Sequence, residues 1–495
     1  MLFWIFTPGK KIYSFILFFA RLIVSIARFT CARYSRSEIK INHFILFFAR
    51  LIVSLQEINI IDMKQGNIAE SLLSFMSASP VNFMAAKTLE SELEKHGFGR
   101  LDATEQMPRL KAGDQYFVTK NGTAVFAFRV GRKAPAESGF KLICAHSDSP
   151  GFRIKPNAEM LCEGKVVKLN TEVYGGPILY TWFDRPFSVA GRVLLRTDNP
   201  LCPEERRIKV ERPLLVIPHL AIHFNRAVNE GNHLSKQKDM LPVLGIISDE
   251  LEKGNLLLNV IAEELKCSKD DILDFDLSLY DVNAASLVGL HNEFISSGRL
   301  DDLAMAHAGL CALLSSETSD MTQVLAVFDN EETGSGTKQG AASPELKNIL
   351  HRITMQFGGS DEDFYRAVER SFMISADMAH AIHPNYPEKH DPTNHPVMGG
   401  GPVIKINANQ KYITDAQSAA VFAEICRKAG VPVQYFVNHS DSPGGSTLGN
   451  ILTSQLPMRG VDMGNPMWAM HSCRETICVK DQEYVCKAFT TFFGL

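Results

Sequence analysis

Five short segments of the 495-residue chain carry carboxylates or imidazoles at or beside the end of an apolar run. The first is Ala145-His146-Ser147-Asp148. In extended chain residues i and i+2 point to one side, so Asp148 can accept the second N–H of His146, fix its tautomer and raise its basicity toward a metal. The second, Arg299-Leu-Asp301-Asp302, opens a helical stretch. A carboxylate has two oxygens and can bridge two cations, a role open to Asp301 or Asp302. In the third, Phe328-Asp-Asn-Glu331-Glu332-Thr-Gly-Ser-Gly, two adjacent glutamates follow an apolar strand pattern. Neighbouring side chains diverge, so one can bind metal while the other faces a water held there. The fourth is Met373-Ile-Ser-Ala-Asp377-Met-Ala-His380, and the fifth is Trp468-Ala-Met-His471-Ser. Singly, each has an ordinary explanation: a strand-end histidine bonding a loop, acids favouring a helix dipole, a solvated turn, a core histidine.

Together they form an ordered set of His, Asp, Glu, Asp and His. Mixed nitrogen and oxygen donors suit a pair of zinc ions better than magnesium or calcium, which favour oxygen alone. Two such ions, about 3.5–4 Å apart, would share a bridging carboxylate and a water that they activate. A free carboxylate beside them could act as general base. Gly334-Ser-Gly-Thr-Lys338 lacks the G-x-x-x-x-G-K-[ST] spacing, which excludes a phosphate loop there. His383, His390 and His395, among prolines, read as polar surface.

These side chains need a scaffold that delivers them to one place. From Met63 onward helical and strand patterns alternate. Apolar residues from Leu72 to Met76 and from Phe83 to Leu93 fall at helical spacing, broken by Ser79-Pro80. Gln115–Thr119 and Ala124–Phe128 flank Asn121-Gly122, a type I′ hairpin signal. Leu142–Ala145 and Val324–Phe328 are short continuous apolar runs, as expected of strands buried on both faces. Helical stretches follow at Leu303–Leu314 and Ala416–Lys428. The pattern predicts an α/β fold with a mainly parallel sheet in residues 63–153 and 288–495. Residues 154–287, rich in Val with Gly/Pro punctuation such as Tyr174-Gly-Gly-Pro177, read as an inserted β-rich domain.

The composition is that of an ordinary globular chain, 45% hydrophobic and 21% charged with a net charge of −4, which excludes a strongly basic nucleic-acid binder by bulk charge. Ten cysteines without a C-x-x-C pair read as buried free thiols in a reducing, cytoplasmic setting. Residues 1–62 stand apart: Phe15–Ser25 recurs letter for letter as Phe44–Ser54. Arg21, Arg28 and Arg50 interrupt the apolar runs, short of the roughly 18–20 uncharged residues of a spanning helix. A signal-like segment, amphipathic helices, or an upstream stretch preceding a true start at Met63 all fit, and residues 1–62 are set aside from the fold.

The blocks Ala145-His-Ser-Asp-Ser-Pro-Gly, Gly298-Arg-Leu-Asp-Asp, Asp329-Asn-Glu-Glu-Thr-Gly-Ser, Ser375–Tyr386 and Ala469-Met-His-Ser472 resemble those of the M18 metallopeptidases, the aspartyl aminopeptidase family. The resemblance spans Met63 to the C-terminus and includes Ile217–His223 and Gly401–Lys405. It implies that His146 and Asp377 hold one zinc, Glu332 and His471 the other, and that Asp301 bridges them. Manganese or cobalt would substitute. Glu331 would be the general base, and Asp148 would orient His146. The resemblance further implies that the insert mediates dimerisation within a tetrahedral dodecamer, where His223, or less well His219, reaches the neighbouring active site. Lys405 would meet the acidic side chain of the substrate's first residue, with Tyr412 and His380 beside it; a surface lysine at the strand end is the lesser alternative. The family's pair at the bridge is often Asp-Asn, where this chain has Asp301-Asp302. Two rivals remain: a related dinuclear hydrolase that prefers neutral residues or other amides, which has no need of Lys405, and a membrane-attached binding protein, supported only by the apolar N-terminus.

Overall fold

Four apolar segments, Thr322–Phe328, Phe140–His146, Phe372–Ala376 and Arg459–Gly464, lie side by side in that order as parallel strands. Their side chains alternate between two covered faces, as a strand period of two requires. Leu142, Cys144, Val324, Ala326 and Phe328 join one core with Leu346, Ile349, Phe364 and Leu452. On the opposite face Ile143 and Leu325 press against Gly309, where a Cβ would stand 2.6 Å from a Leu325 methyl. Each fully buried Leu, Ile or Phe contributes about 1.5–3 kcal/mol.

The computed structural model describes residues 67–247 and 255–495, and the duplicated segment of residues 1–62 lies outside them. The central strands belong to a nine-stranded sheet that is parallel at its heart and mixed toward its edges. One side continues antiparallel through Ala124–Arg129 and Gln115–Lys120. Asn121 and Gly122 join these two strands with φ of 54° and 70°, the positive values that the turn signal requires. On the other side Val403–Ile406 adds antiparallel and Gln434–Val437 parallel to it. The helix Leu300–Ser315 is buried all round, as expected of one packed between a sheet and other helices. The N-terminal helices Ile68–Ala78 and Asn82–Lys95 part at Ser79-Pro80, as their periodicity predicts.

Gly151–Asp281 supplies a six-stranded sheet, antiparallel throughout, in the order Glu204–Lys209, Phe187–Leu195, Ile272–Asp281, Gly151–Cys162, Val166–Tyr174, Val243–Ile246. A five-stranded sheet that the sequence pattern does not announce gathers Ser286–Val288, Phe294–Ser297, Glu475–Cys478, Pro466–Trp468 and Ala379–His380. These strands are only two to four residues long, too short for periodicity to register. Among the described residues nine cysteines are free. Cys311 and Cys486 meet His307 in the helical core, where Ser71 and Gln482 stand 2.9 and 3.4 Å from its two ring nitrogens. No helix among the described residues is long and apolar enough to cross a membrane.

Candidate metal centre

The parallel strands end on one edge of the sheet, and three of the sequence-predicted groups stand there. His146 is the last residue of its strand and pairs in register with Phe328, from which the chain runs through Asp329 to Glu331 and Glu332. Asp377 directly follows the strand Phe372–Ala376. Asp301, at the start of its helix, and His471, after the strand Pro466–Trp468, close the group. His146 is 1% exposed and Asp301 3%, while the His471 side chain keeps 31% of its surface, so the cluster is buried at His146 and opens to solvent at His471.

Both histidines are held in the same way. The Nδ1 of His146 lies 3.0 Å from the backbone carbonyl of Asp148, and the Nδ1 of His471 lies 3.1 Å from that of Gly176. A carbonyl only accepts, so each Nδ1 carries a proton, and in the neutral ring Nε2 is the nitrogen left for a metal. The Nε2 of His146 faces Asp301 Oδ1 at 3.5 Å and Asp377 Oδ1 at 3.9 Å. The Nε2 of His471 faces the other oxygen of Asp301 at 3.6 Å and Glu332 Oε2 at 3.4 Å. These distances are long for hydrogen bonds. They are close to the separation of about 3.3–3.4 Å between nitrogen and oxygen ligands sharing one tetrahedral zinc. Asp301 Oδ1 has no hydrogen-bond partner although buried. The donor set therefore fits zinc, and Asp301 offers one oxygen to each histidine.

Buried carboxylates brace this shell through backbone amides. Asp148 accepts from the N–H groups of Glu331 and Glu332, both at 3.1 Å, and from the Tyr174 hydroxyl at 2.6 Å. The expected bond from its carboxylate to His146 is replaced by the carbonyl contact, the nearest carboxylate oxygen standing at 3.4 Å. Asp302 accepts from the His146 N–H at 3.0 Å, and Glu475 accepts from the N–H of both Asp301 and His471. Gly175, at φ 66°, brings the six-stranded sheet's loop against Glu332, where a Cβ would stand 3.2 Å from that side chain. Burial and the surrounding acids push Glu331 up to about 7 and Glu475 up to about 8. Burial also opposes ionisation of Asp301, but His146 and His471 hold its carboxyl below the usual range.

Lys405 lies inside the strand Val403–Ile406, 3% exposed, and not on the surface. Its Nζ stands 3.2 Å from Asp377 Oδ2 and 5.6 Å from the centre of the buried Tyr412 ring. Burial alone would lower its pKa, but Asp377 together with Tyr412, Asp462 and Asp301 outweighs that and raises it. His380 keeps accessible surface and packs edge-on to Phe436, its ring centre 5.8 Å away. His223 is exposed on the loop after Ile217, outside the ligand cluster, while His219 stacks on Phe183 at 4.3 Å. Sequence reasoning missed Glu475, Tyr174 and Gly176; the one available signal was an acid four residues after His471.

The family model described as "Aminopeptidase I zinc metalloprotease (M18)" matches residues 75–493. The chain belongs to the M18 family. It is a zinc metalloaminopeptidase with an α/β fold. A probable M18 family aminopeptidase 2 of Clostridium novyi is 51% identical over 427 residues, covering 86% of this chain and 98% of the relative. A cryo-EM structure described as the Ape4 and Nbr1 complex superposes with a TM-score of 0.83 at 36% identity, covering 88% of this chain and 87% of the other. The S. cerevisiae mApe1 dodecamer superposes with a TM-score of 0.75 at 26% identity, covering 86% and 96%.

Proposed function

We propose that this M18 aminopeptidase is dinuclear, with two zinc ions per subunit, and that it removes N-terminal Asp or Glu from peptides. Asp301 carries the reading: its two oxygens face two different histidines, at 3.5 and 3.6 Å, as a carboxylate shared by two cations must. His146 and Asp377 would hold one ion with it, Glu332 and His471 the other; manganese or cobalt would substitute. Zinc supplies Lewis acidity toward the scissile carbonyl and makes water acidic enough to be deprotonated near neutral pH. Glu331 is not needed as a ligand, and its carboxylate, beside Glu332 and facing the cluster, can receive that proton and pass it to the leaving amine. Asp148, fixed by Tyr174, orients His146 and the Glu331-Glu332 turn.

Acidic preference rests on Lys405, a buried ammonium at the wall of the site beside Tyr412 and His380. An anion meeting it where water is excluded gains more than it would in solvent. A second reading is favoured by the 3.2 Å contact to Asp377: Lys405 serves as that ligand's counter-ion and the enzyme prefers neutral residues. The insert is proposed to mediate dimerisation within a homododecamer, with His223 donating to the oxyanion in the neighbouring subunit. The exposed Leu220, Ile222 and Phe224 flanking it support a contact surface there. A cytoplasmic location fits the free thiols. Initial rates on Asp-, Glu- and Leu-anilides, with chelator and with zinc restored, test the proposal. Leu turnover equal to or above Asp and Glu turnover would reject the acidic preference.

A further inference from the structure

We propose that Glu475 is a positioning residue of the metal centre, one carboxylate holding the backbones of two ligands delivered by different elements. The proposal rests on the zinc aminopeptidase reading. Glu475 Oε1 accepts from the His471 N–H at 2.7 Å, and Oε2 accepts from the Asp301 N–H at 3.1 Å. Asp301 opens a helix, whereas His471 lies in the turn before Glu475's own strand. The strand register sets the span: Glu475 pairs with Ser297, from which the chain passes through Gly298 and Arg299 toward Asp301. The two segments touch at Gly298, where a Cβ would stand 2.6 Å from the Cys473 carbonyl. His471, at φ 67°, is turned so that its N–H points at Glu475 while its ring faces Asp301.

The choice of a carboxylate carries the argument further. Glu475 is 2% exposed and hydrogen-bonds to Asp301, in a cluster that already holds Asp302, Asp377, Glu331 and Glu332. A further buried anion opposes folding unless cations offset it. Its two hydrogen bonds set the separation at which Asp301 and His471 present ligand atoms. Asp481 is a matched control. It is fully buried and accepts from the Gly399 and Gly401 N–H groups, both at 2.7 Å, but neither belongs to the ligand set.

The test uses the full chain, stripped by chelator and titrated with zinc by calorimetry, alongside kcat and KM on a peptide anilide. Glu475→Gln keeps the size but turns an amide NH2 toward one of the two N–H donors. It should weaken at least one zinc site tenfold to a hundredfold, lower kcat with little change in KM, and recover activity in excess zinc. Asp481→Asn should lower the melting temperature and leave zinc affinity at the parent value. If Glu475→Gln fails to fold, Glu475→Asp, one methylene too short to span both amides, should weaken zinc binding in the same way. Zinc affinity within twofold of the parent in the folded Glu475 variant overturns the proposal alone, as does an equal loss in Asp481→Asn. A parent chain that binds no zinc overturns the zinc aminopeptidase reading with it.

Discussion

Removing metal should turn the active site into a pH-dependent liability. Burial and crowding raise Glu331 from 4.5 to about 7, and they push Glu475 up to about 8. His146 and His471 are also raised, since the acids around them outweigh the effect of burial. For a carboxyl raised on folding, the folded chain keeps a proton that the unfolded chain has released. Stability is then lost as pH rises through the window between the two values; raised histidines act in the same direction. Glu331 alone, moved from 4.5 to about 7, costs about 3 kcal/mol once pH exceeds 7, at about 1.4 kcal/mol per pH unit. Glu475 responds to the same neighbouring anions, so its contribution does not add in full. For a chain of this size the loss corresponds to a fall in Tm on the order of 5 °C. Lys141, which burial lowers to about 8, has the opposite sign, stabilising as pH rises above that value, so the scan belongs below pH 8. Scanning fluorimetry of chelator-treated protein between pH 5 and pH 8 should show Tm falling. Zinc-loaded protein should hold its Tm, because cations take the place of the protons, and Glu331→Gln should flatten the chelated profile. A chelated protein equally stable or more stable at the upper end would refute the account of these acids.

Glu331→Gln in the loaded enzyme should lower kcat by roughly 10²–10⁴-fold while retaining zinc, because it removes a base and no ligand. Loss of zinc in that variant, measured by elemental analysis, would make Glu331 a ligand instead. Asp301→Ala should lose metal at both sites, and retention of two zincs per chain would reject it as the bridge. Lys405→Ala should lower kcat/KM for Asp and Glu substrates roughly tenfold to a hundredfold more than for Leu, the size of a lost buried charged hydrogen bond; equal losses would favour the counter-ion role. Mixing Glu331→Gln subunits with His223→Ala subunits should restore part of the activity, since each supplies what the other lacks across the dimer. Failure to complement after demonstrated subunit exchange would remove His223 from the neighbour's site.

What was legible in the sequence and what was not divide along a physical line. His146, Glu332 and Asp377 could be found because each stands at the end of an apolar strand, and such runs keep their pattern when buried on both faces. The helix Leu300–Ser315 was legible for the same reason, since its apolar residues recur over many positions. The five-stranded sheet left no such trace, its strands of two to four residues being too short to repeat the strand alternation more than once or twice. Lys405 reads in the sequence as a buried cation in need of an anion, with a surface lysine at the end of Val403-Ile404 as the lesser alternative. Only the antiparallel pairing of that strand with Arg459–Gly464 and the approach of Asp377 separate the two.

Glu475 belongs to a different class. Its partners are backbone amides, which every residue except proline possesses, so no residue type at Asp301 or His471 announces the contact. The hydrogen bond to Asp301 crosses 174 positions of sequence, a separation that only the fold can close. The proposed ligand set is therefore written in side chains that a sequence displays, while its spacing is written in hydrogen bonds to the main chain. Conservative replacement of the bracing acids Asp148, Asp302 and Glu475 should for that reason disturb metal geometry while leaving every ligand in place.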